Sequence, residues 1–278
     1  MTIEMTTEAG GATHDADFAK AWSLWHTSRE RAAAAPYGLA SLVHTHWLTP
    51  TPTSYADAPG LWSAVDGRAI GTGLAGSGLA TADGAAAEAV SLGHGDQLEA
   101  STVLLRVMER AGAVALRVLD ADSVGRAALA GIGAFDPDPA WITEAVFEPA
   151  DDGTVVGVTS IDGFVEDVPL AGRLRFELAG RPLTLAVTNG RRGLHAVFSD
   201  ATSGDATSSD AETYHFRFLD TPQPDADGRV AIDFNRAYVP PCSFADGYVC
   251  PLPLAENRLP VPVRAGERMP ERTDESAA

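Results

Sequence analysis

The chain has 278 residues, 45% of them hydrophobic, with 20 basic against 38 acidic side chains, a formal net charge of −18 and a pI near 4.6. So acidic a surface repels phosphate backbones and anionic headgroups, which argues against nucleic acid and membrane surfaces as partners; a small anionic or polar metabolite, held by local arginines, is the candidate ligand. Lys20 is the only lysine, so Schiff-base chemistry has almost nothing to draw on and nearly all positive charge is arginine.

The first residues lack the basic start and apolar core of a secretory signal, and no run of about 18 apolar residues occurs, so a cytoplasmic protein is expected. Residues 1–14 are polar and glycine-rich and 269–278 are charged and small; both read as disordered tails around one domain over 15–268. Phe18, Trp22, Trp25 and Ala32 recur at helical spacing, with Asp15 placed to cap the start and Pro36 to stop the run. A second, shorter helix is predicted over Leu39 to Trp47. Thr49-Pro-Thr-Pro-Thr then imposes extended chain.

From about Leu61 the texture changes to short β-branched or alternating runs divided by Gly, Asp and Asn. Strands are predicted over 102–108, 114–119, 141–147, 154–160, 164–169, 173–178, 183–188, 194–198, 214–219 and 229–234. Ala111-Gly112, Asp152-Gly153, Asp162-Gly163, Ala179-Gly180, Asn189-Gly190 and Asp227-Gly228 supply turns that tolerate positive φ. Many short strands with no helices to alternate with them predict a mainly β fold, an antiparallel sandwich or barrel-like core with the N-terminal helix packed on it.

The most unusual stretch runs from Asp233 to Pro253. It holds both cysteines, four of the eighteen prolines and several aromatic residues. It is too proline-rich for a helix and too aromatic for a solvated linker, so an ordered, packed loop is expected. Ordered loops on a rigid scaffold are where sites concentrate. Asp233 as base or acceptor, Asn235 and Arg236 as ligand-orienting groups, Tyr238 and Cys242 are the candidate catalytic residues. Arg117, Arg217 and Asn257 are the candidate ligand-binding residues, the arginines as anion clamps. Equally, Asp233 and Asn235 can cap the backbone of the Pro240-Pro241 turn while Arg236 forms a structural ion pair.

Cys242 and Cys250 read as a nucleophile with a redox partner, as two metal thiolates, as a disulfide or as two buried small apolar residues. Burial is the simplest, because no short thiolate spacing and no neighbouring histidine support a metal. His195 and His215, each on a predicted strand, are the histidines a catalytic thiol would need. Gly71-Thr-Gly73-Leu-Ala-Gly76 has the spacing of a dinucleotide fingerprint, but it is followed by more Gly and Thr instead of a helix. No cofactor and no metal site is expected. His44 and His46 could share a face and bind a metal if their segment were extended, but within the predicted helix they diverge, and surface or core-edge positions are the simpler reading.

The C-terminal stretch Gly228-Arg-Val-Ala-Ile-Asp-Phe-Asn-Arg-Ala-Tyr-Val-Pro-Pro-Cys242, then Cys250-Pro-Leu-Pro253, Glu256-Asn-Arg-Leu-Pro260 and Arg264-Ala-Gly-Glu267, resembles the bacterial domain-of-unknown-function family 1684. Trp47-Leu48, Ala115 to Asp120, Asp138 to Trp141, Gly172 to Phe176 and Glu212 to Leu219 agree with it, so the resemblance runs from about residue 20 to 268. Val239 and Leu254 stand where the family pattern has Asn and Pro. The resemblance implies a mostly β domain and carries no reaction with it. Two functions are consistent with the residues. One is a small-molecule hydrolase or lyase built around Asp233 to Tyr238 and the proline-rich loop; the other is a non-catalytic, ligand-binding or structural β module in which that motif locks the fold closed.

Overall fold

A computed structural model describes residues 8–204 and 210–273. The fold is mainly antiparallel β with one N-terminal helix, as the turn and strand pattern requires. Helix α1 covers Glu8–Ala34 and begins seven residues before Asp15, so Asp15 is not its cap. Pro36 follows two residues after its end, where the missing N–H and the ring forbid another turn. The half-buried and buried positions Phe18, Trp22, Trp25, His26, Arg29 and Ala33 form one face; Ala32, expected there, is exposed. Parts of both stretches read as tails are thus regular, the helix at 8–14 and a final strand reaching Arg272, while 1–7 and 274–278 lie outside the described residues.

The chain forms two compact units. One consists mainly of residues 31–130 and is built from β1 (Leu42–Trp47), β2 (Thr53–Tyr55), β3 (Ala58–Val65), β4 (Arg68–Thr72), β5 (Val90–Leu92), β6 (Gln97–Ala100), β7 (Val103–Arg110) and β8 (Ala113–Asp120). They make two four-stranded sheets, β1-β8-β7-β6 and β2-β3-β4-β5. The core of this unit gathers Trp62, Leu74, Leu79, Leu98, Leu105 and Leu116, all at most 1% exposed. The β7–β8 hairpin turns at Ala111 and Gly112, both at positive φ (48° and 82°), a backbone that matches the twist of the flanking strands.

The helix predicted over Leu39–Trp47 is instead a 3-10 turn at Leu39–Ser41 followed by β1, which pairs antiparallel with β8 along Leu42–Trp47. Val43 and Thr45 are β-branched and Trp47 aromatic, so the segment suits a pleated edge and gains a ladder of hydrogen bonds there. The consequence is chemical: His44 and His46 project from the same face.

The other unit contains the start of α1, residues 131–243 and 249–271. After the short helix α2 (Val124–Ala127) come β9 (Leu129–Ala134), β10 (Ile142–Pro149), β11 (Val155–Thr159), β12 (Val165–Pro169), β13 (Gly172–Leu178), β14 (Arg181–Asn189), β15 (Leu194–Phe198), β16 (Arg217–Thr221), β17 (Arg229–Asp233) and β18 (Glu267–Arg272). A six-stranded sheet has the order β16-β15-β14-β13-β10-β17, and β11-β12 and β9-β18 are two-stranded. Leu174, Leu185, Phe198, Leu219, Ile232, Phe234 and Val263 fill its core. The strand predicted from Tyr214 starts only at Arg217, and the one predicted to Phe234 stops at Asp233, where a 3-10 turn begins. Among the described residues no helix is long and apolar enough to cross a membrane.

Candidate functional site

The segment after β17 is held in place by its own polar side chains. Asp233 accepts from the Asn235 backbone N–H at 3.0 Å and from Asn235 Nδ2 at 2.9 Å, which starts the 3-10 turn Phe234–Arg236 in the manner of a helix cap. Asn235, fully buried, also accepts from Asp138 N at 2.9 Å and donates to Asp138 O at 3.0 Å, and its own carbonyl receives the indole N–H of Trp22 at 2.7 Å. Because the chain turns after Asp233, Asn235 does not extend β17. Arg236 pairs with Asp233 at 3.4 Å and lies over the Trp25 ring. Asn235 and Asp233 Oδ1 are thus engaged in holding the turn and the helix against the sheet.

Two other expected residues, Arg217 and Asn257, are committed to internal contacts as well. Arg217 is 0% exposed, and its Nη2 reaches the equally buried Asp200 carboxylate at 2.7 Å and Val263 O at 2.9 Å, with Nη1 on Ala265 O and Glu267 O. Burial pushes the guanidinium pKa down and the Asp200 charge opposes that shift. Arg217 is therefore an internal clip on the 263–267 segment, with no route to an outside anion. Asn257, 2% exposed, bonds Ala186 N and O and Val197 O at 2.7, 2.9 and 2.9 Å and splices the last loop onto β14 and β15. Arg117 belongs to the other unit, where it lies over the Tyr248 ring.

Cys242 and Cys250 are free and buried. The Cys242 N–H donates to Cys250 Sγ at 3.3 Å, and Tyr214 Oη donates to Cys242 O at 3.2 Å. The Cys250 thiol beside it lowers the Cys242 pKa against the opposing effect of burial, with help from Tyr214. His195 and His215 make no contact with this thiol among those described; His195 is committed elsewhere.

Tyr238 is the expected residue that does reach a cavity. Its backbone pairs with Phe218 through N–H to O contacts of 2.8 and 2.9 Å, an antiparallel bridge on β16. On the opposite side of β16, the register with β15 sets Asp220 against His195. The three side chains meet: His195 Nδ1 is 2.7 Å from Asp220 Oδ1, and Tyr238 Oη donates to Asp220 Oδ2 at 3.0 Å. Burial together with the Asp220 charge raises the Tyr238 pKa, so the phenol keeps its proton and remains a donor. Asp220 shows the opposite balance. Partial burial pushes its pKa up, but the hydrogen bonds from His195 and Tyr238 and the charge of Arg29 outweigh it and hold the carboxyl below the usual carboxylate range.

Arg29 comes from α1 and stacks over the Tyr238 ring at 4.6 Å, while its Nε and Nη2 grip the fully buried Glu267 carboxylate at 2.9 and 2.8 Å. Glu267 also accepts the Val239 N–H at 2.9 Å. A buried carboxylate with a bidentate arginine and a backbone donor is satisfied, and it fixes the helix, the Tyr238–Val239 segment and the C-terminal strand together.

The cavity beside this cluster has a volume of about 630 Å³ and is lined by Asn189, Gly190, Arg191, Arg192, Gly193, His195, Phe218, Asp220, Thr221 and Tyr238. Gly193 permits the loop: a Cβ there would stand 1.8 Å from Thr221 O, so only glycine lets the 190–193 turn approach β16. Gly190 N closes that turn on Gly193 O at 2.8 Å. Two exposed guanidinium groups, Arg191 and Arg192, are thereby placed at the rim of a cavity whose wall carries a hydrogen-bonded His–Asp pair. Asp220 and the two arginines were missed from the sequence. The signal that locates them is strand register, since Asp220 falls one residue beyond the predicted end of its strand.

The family model described as protein of unknown function (DUF1684) matches residues 127–268, just over half of the chain. The upstream stretches Trp47-Leu48 and Ala115 to Asp120, which also resemble that family, lie outside the matched residues. An uncharacterized protein of Haloarcula marismortui, solved by solution NMR, is 30% identical over 52% of this chain and 78% of its own, with a TM-score of 0.38. None of the curated proteins matches. The chain belongs to the DUF1684 family.

Proposed function

We propose that the protein is a small-molecule hydrolase whose site is the cavity at β15 and β16, with His195 as general base, Asp220 as the group that orients it, Tyr238 as the donor that fixes Asp220, and Arg191 and Arg192 as the anion-binding rim. The observation that carries this reading is the 2.7 Å contact between His195 Nδ1 and Asp220 on a cavity wall. With Nδ1 donating to the carboxylate, the neutral ring is left with Nε2 as an acceptor, and the described residues give Nε2 no partner. An imidazole so oriented can take a proton from a water molecule as that water attacks an electrophilic carbon or phosphorus, and return it to the leaving group. Asp220 stabilises the imidazolium that forms. Among the described residues no serine, cysteine or lysine lines the cavity, so direct activation of water fits better than a covalent intermediate on the protein.

In this reading Asp233, Asn235, Arg236 and Cys242 belong to the lock, and Tyr238 alone of the expected catalytic residues belongs to the site. The saturated hydrogen bonding of Asn235 supports that division. The test is a hydrolysis panel of aryl esters bearing a second carboxylate and of aryl phosphates. Turnover is expected for anionic members, with a raised KM in the Arg191→Ala, Arg192→Ala double variant. Absence of turnover across the panel, or a KM indifferent to both arginines, would overturn the proposal.

A further inference from the structure

The unit formed by residues 31–130 carries a separate constellation. His44 and His46 stand two residues apart on β1, the edge strand of its sheet, so both rings leave the same face. Asp57 occupies the turn between β2 and β3 and divides its carboxylate between them: His44 Nδ1 is 2.6 Å from Oδ2 and His46 Nε2 is 2.8 Å from Oδ1. The donor atoms of all three residues lie within 4.8 Å of one another. The His46 ring is stacked on Tyr55 with a centroid separation of 4.0 Å, which fixes its orientation, and the two imidazoles are 5.3 Å apart. Partial burial pushes the Asp57 pKa up, but the hydrogen bonds from His44 and His46 outweigh it and hold the carboxyl below its ordinary range.

We infer that His44, His46 and Asp57 form a binding site for a divalent first-row transition metal ion. Two imidazole nitrogens and one carboxylate facing a common point are the donor set that such ions take, with bonds of about 2.0–2.2 Å, and they supply only three of the positions the ion requires. A proton now sits between each ring and the carboxylate. On binding, each imidazole turns to the tautomer whose N–H lies on the other nitrogen, and the ion replaces the two hydrogen bonds, so no oxidant or reductant is involved. The remaining positions open outward past His44, whose side chain is 60% exposed, and Asp57 also lines a cavity of about 450 Å³ together with Ser54, Tyr55, Ser77 and Ser101. A bound ion would thus hold water or a small oxygen ligand at an accessible face.

The test uses the full chain without an affinity tag, stripped with chelator and dialysed. Titration with Co²⁺ is followed by visible d–d absorption and titration with Zn²⁺ by calorimetry. One ion per chain is expected. The variants His46→Ala, Asp57→Asn and His44→Ala should each weaken uptake by more than the roughly 10- to 100-fold cost of disturbing only a ligand's support. His44 is exposed, so His44→Ala keeps the fold and remains informative even if an inner variant does not. His94→Ala removes another histidine of the same unit and should leave uptake unchanged. No stoichiometric uptake, uptake that survives loss of His44, or uptake abolished by His94→Ala would overturn the inference.

Discussion

His195 and Asp220 face each other across neighbouring antiparallel strands, imidazole Nδ1 to carboxylate Oδ1 at 2.7 Å, with Thr188 of β14 on the other side of His195. Tyr238 closes the arrangement from the opposite side of β16. The polar cluster is thus a product of strand pairing in a rigid sheet, the kind of support that holds a reactive geometry.

Asp233→Ala separates the lock from the site. Removing the carboxylate leaves the Asn235 N–H and Nδ2 without their acceptor inside a buried turn, at a cost of about 1–3 kcal/mol in chemical denaturation. Turnover per folded molecule should stay at the parent level. A variant as stable as the parent but inactive would return Asp233 to the catalytic group.

Much of this division follows from what a sequence pattern can encode. The ten strands expected from β-branched runs and Gly turns match observed strands, and Leu194–Phe198 does so to the residue, because alternation and turn chemistry are local signals. β2, β4, β5 and β6 have only three to five residues each, and β3 opens on Ala-Pro-Gly, so none of them carries a long β-branched run that could be read as a strand. Leu42–Trp47 has apolar ends that suit either period, and only its partner β8 decides for a strand. The ordered, buried nature of the 233–253 segment was legible from its prolines and aromatics; the role of each side chain was not. Whether Asp233 faces a cavity or its own backbone depends on one turn at Phe234. Glu267 was visible only as part of the Arg264-Ala-Gly-Glu267 motif, because its partner Arg29 lies more than two hundred residues away.

Arg217→Met tests the internal clip. Breaking the pair strands Asp200 as an uncompensated buried charge, and loss of one partner from such a pair costs about 3–5 kcal/mol. A large drop in melting temperature is expected, and adding anions should not restore it. Recovery with phosphate or sulfate, or a wild-type melting curve, would contradict the assignment.

Asp220→Asn tests the charge balance. Native Asp220 titrates below the ordinary carboxylate range, so the native state binds fewer protons in acid than the unfolded chain. Its contribution to stability is fully present above an unfolded pKa of about 4 and is lost as pH falls through the lower native value. The stability difference between parent and variant should therefore be largest near neutrality and shrink below about pH 4. Denaturation curves at several pH values measure it; a difference that widens on acidification would contradict this.

Gly193→Ala tests the rim. The added methyl group collides with Thr221 O, so the 190–193 turn must move away from β16 and carry Arg191 and Arg192 with it. Small-angle changes of this kind act on positioning, so KM for anionic substrates should rise more than kcat falls. Unchanged kinetics in a folded variant would show that the turn does not place the arginines.

The most direct measurement is kcat for His195→Gln, a variant that keeps a polar side chain opposite Asp220 but cannot serve as a base. Melting should stay close to that of the parent while kcat falls by about 10²- to 10⁴-fold, the usual contribution of a general base. A folded His195→Gln protein that turns over substrate at the parent rate would contradict the assignment of this cavity as a hydrolytic site.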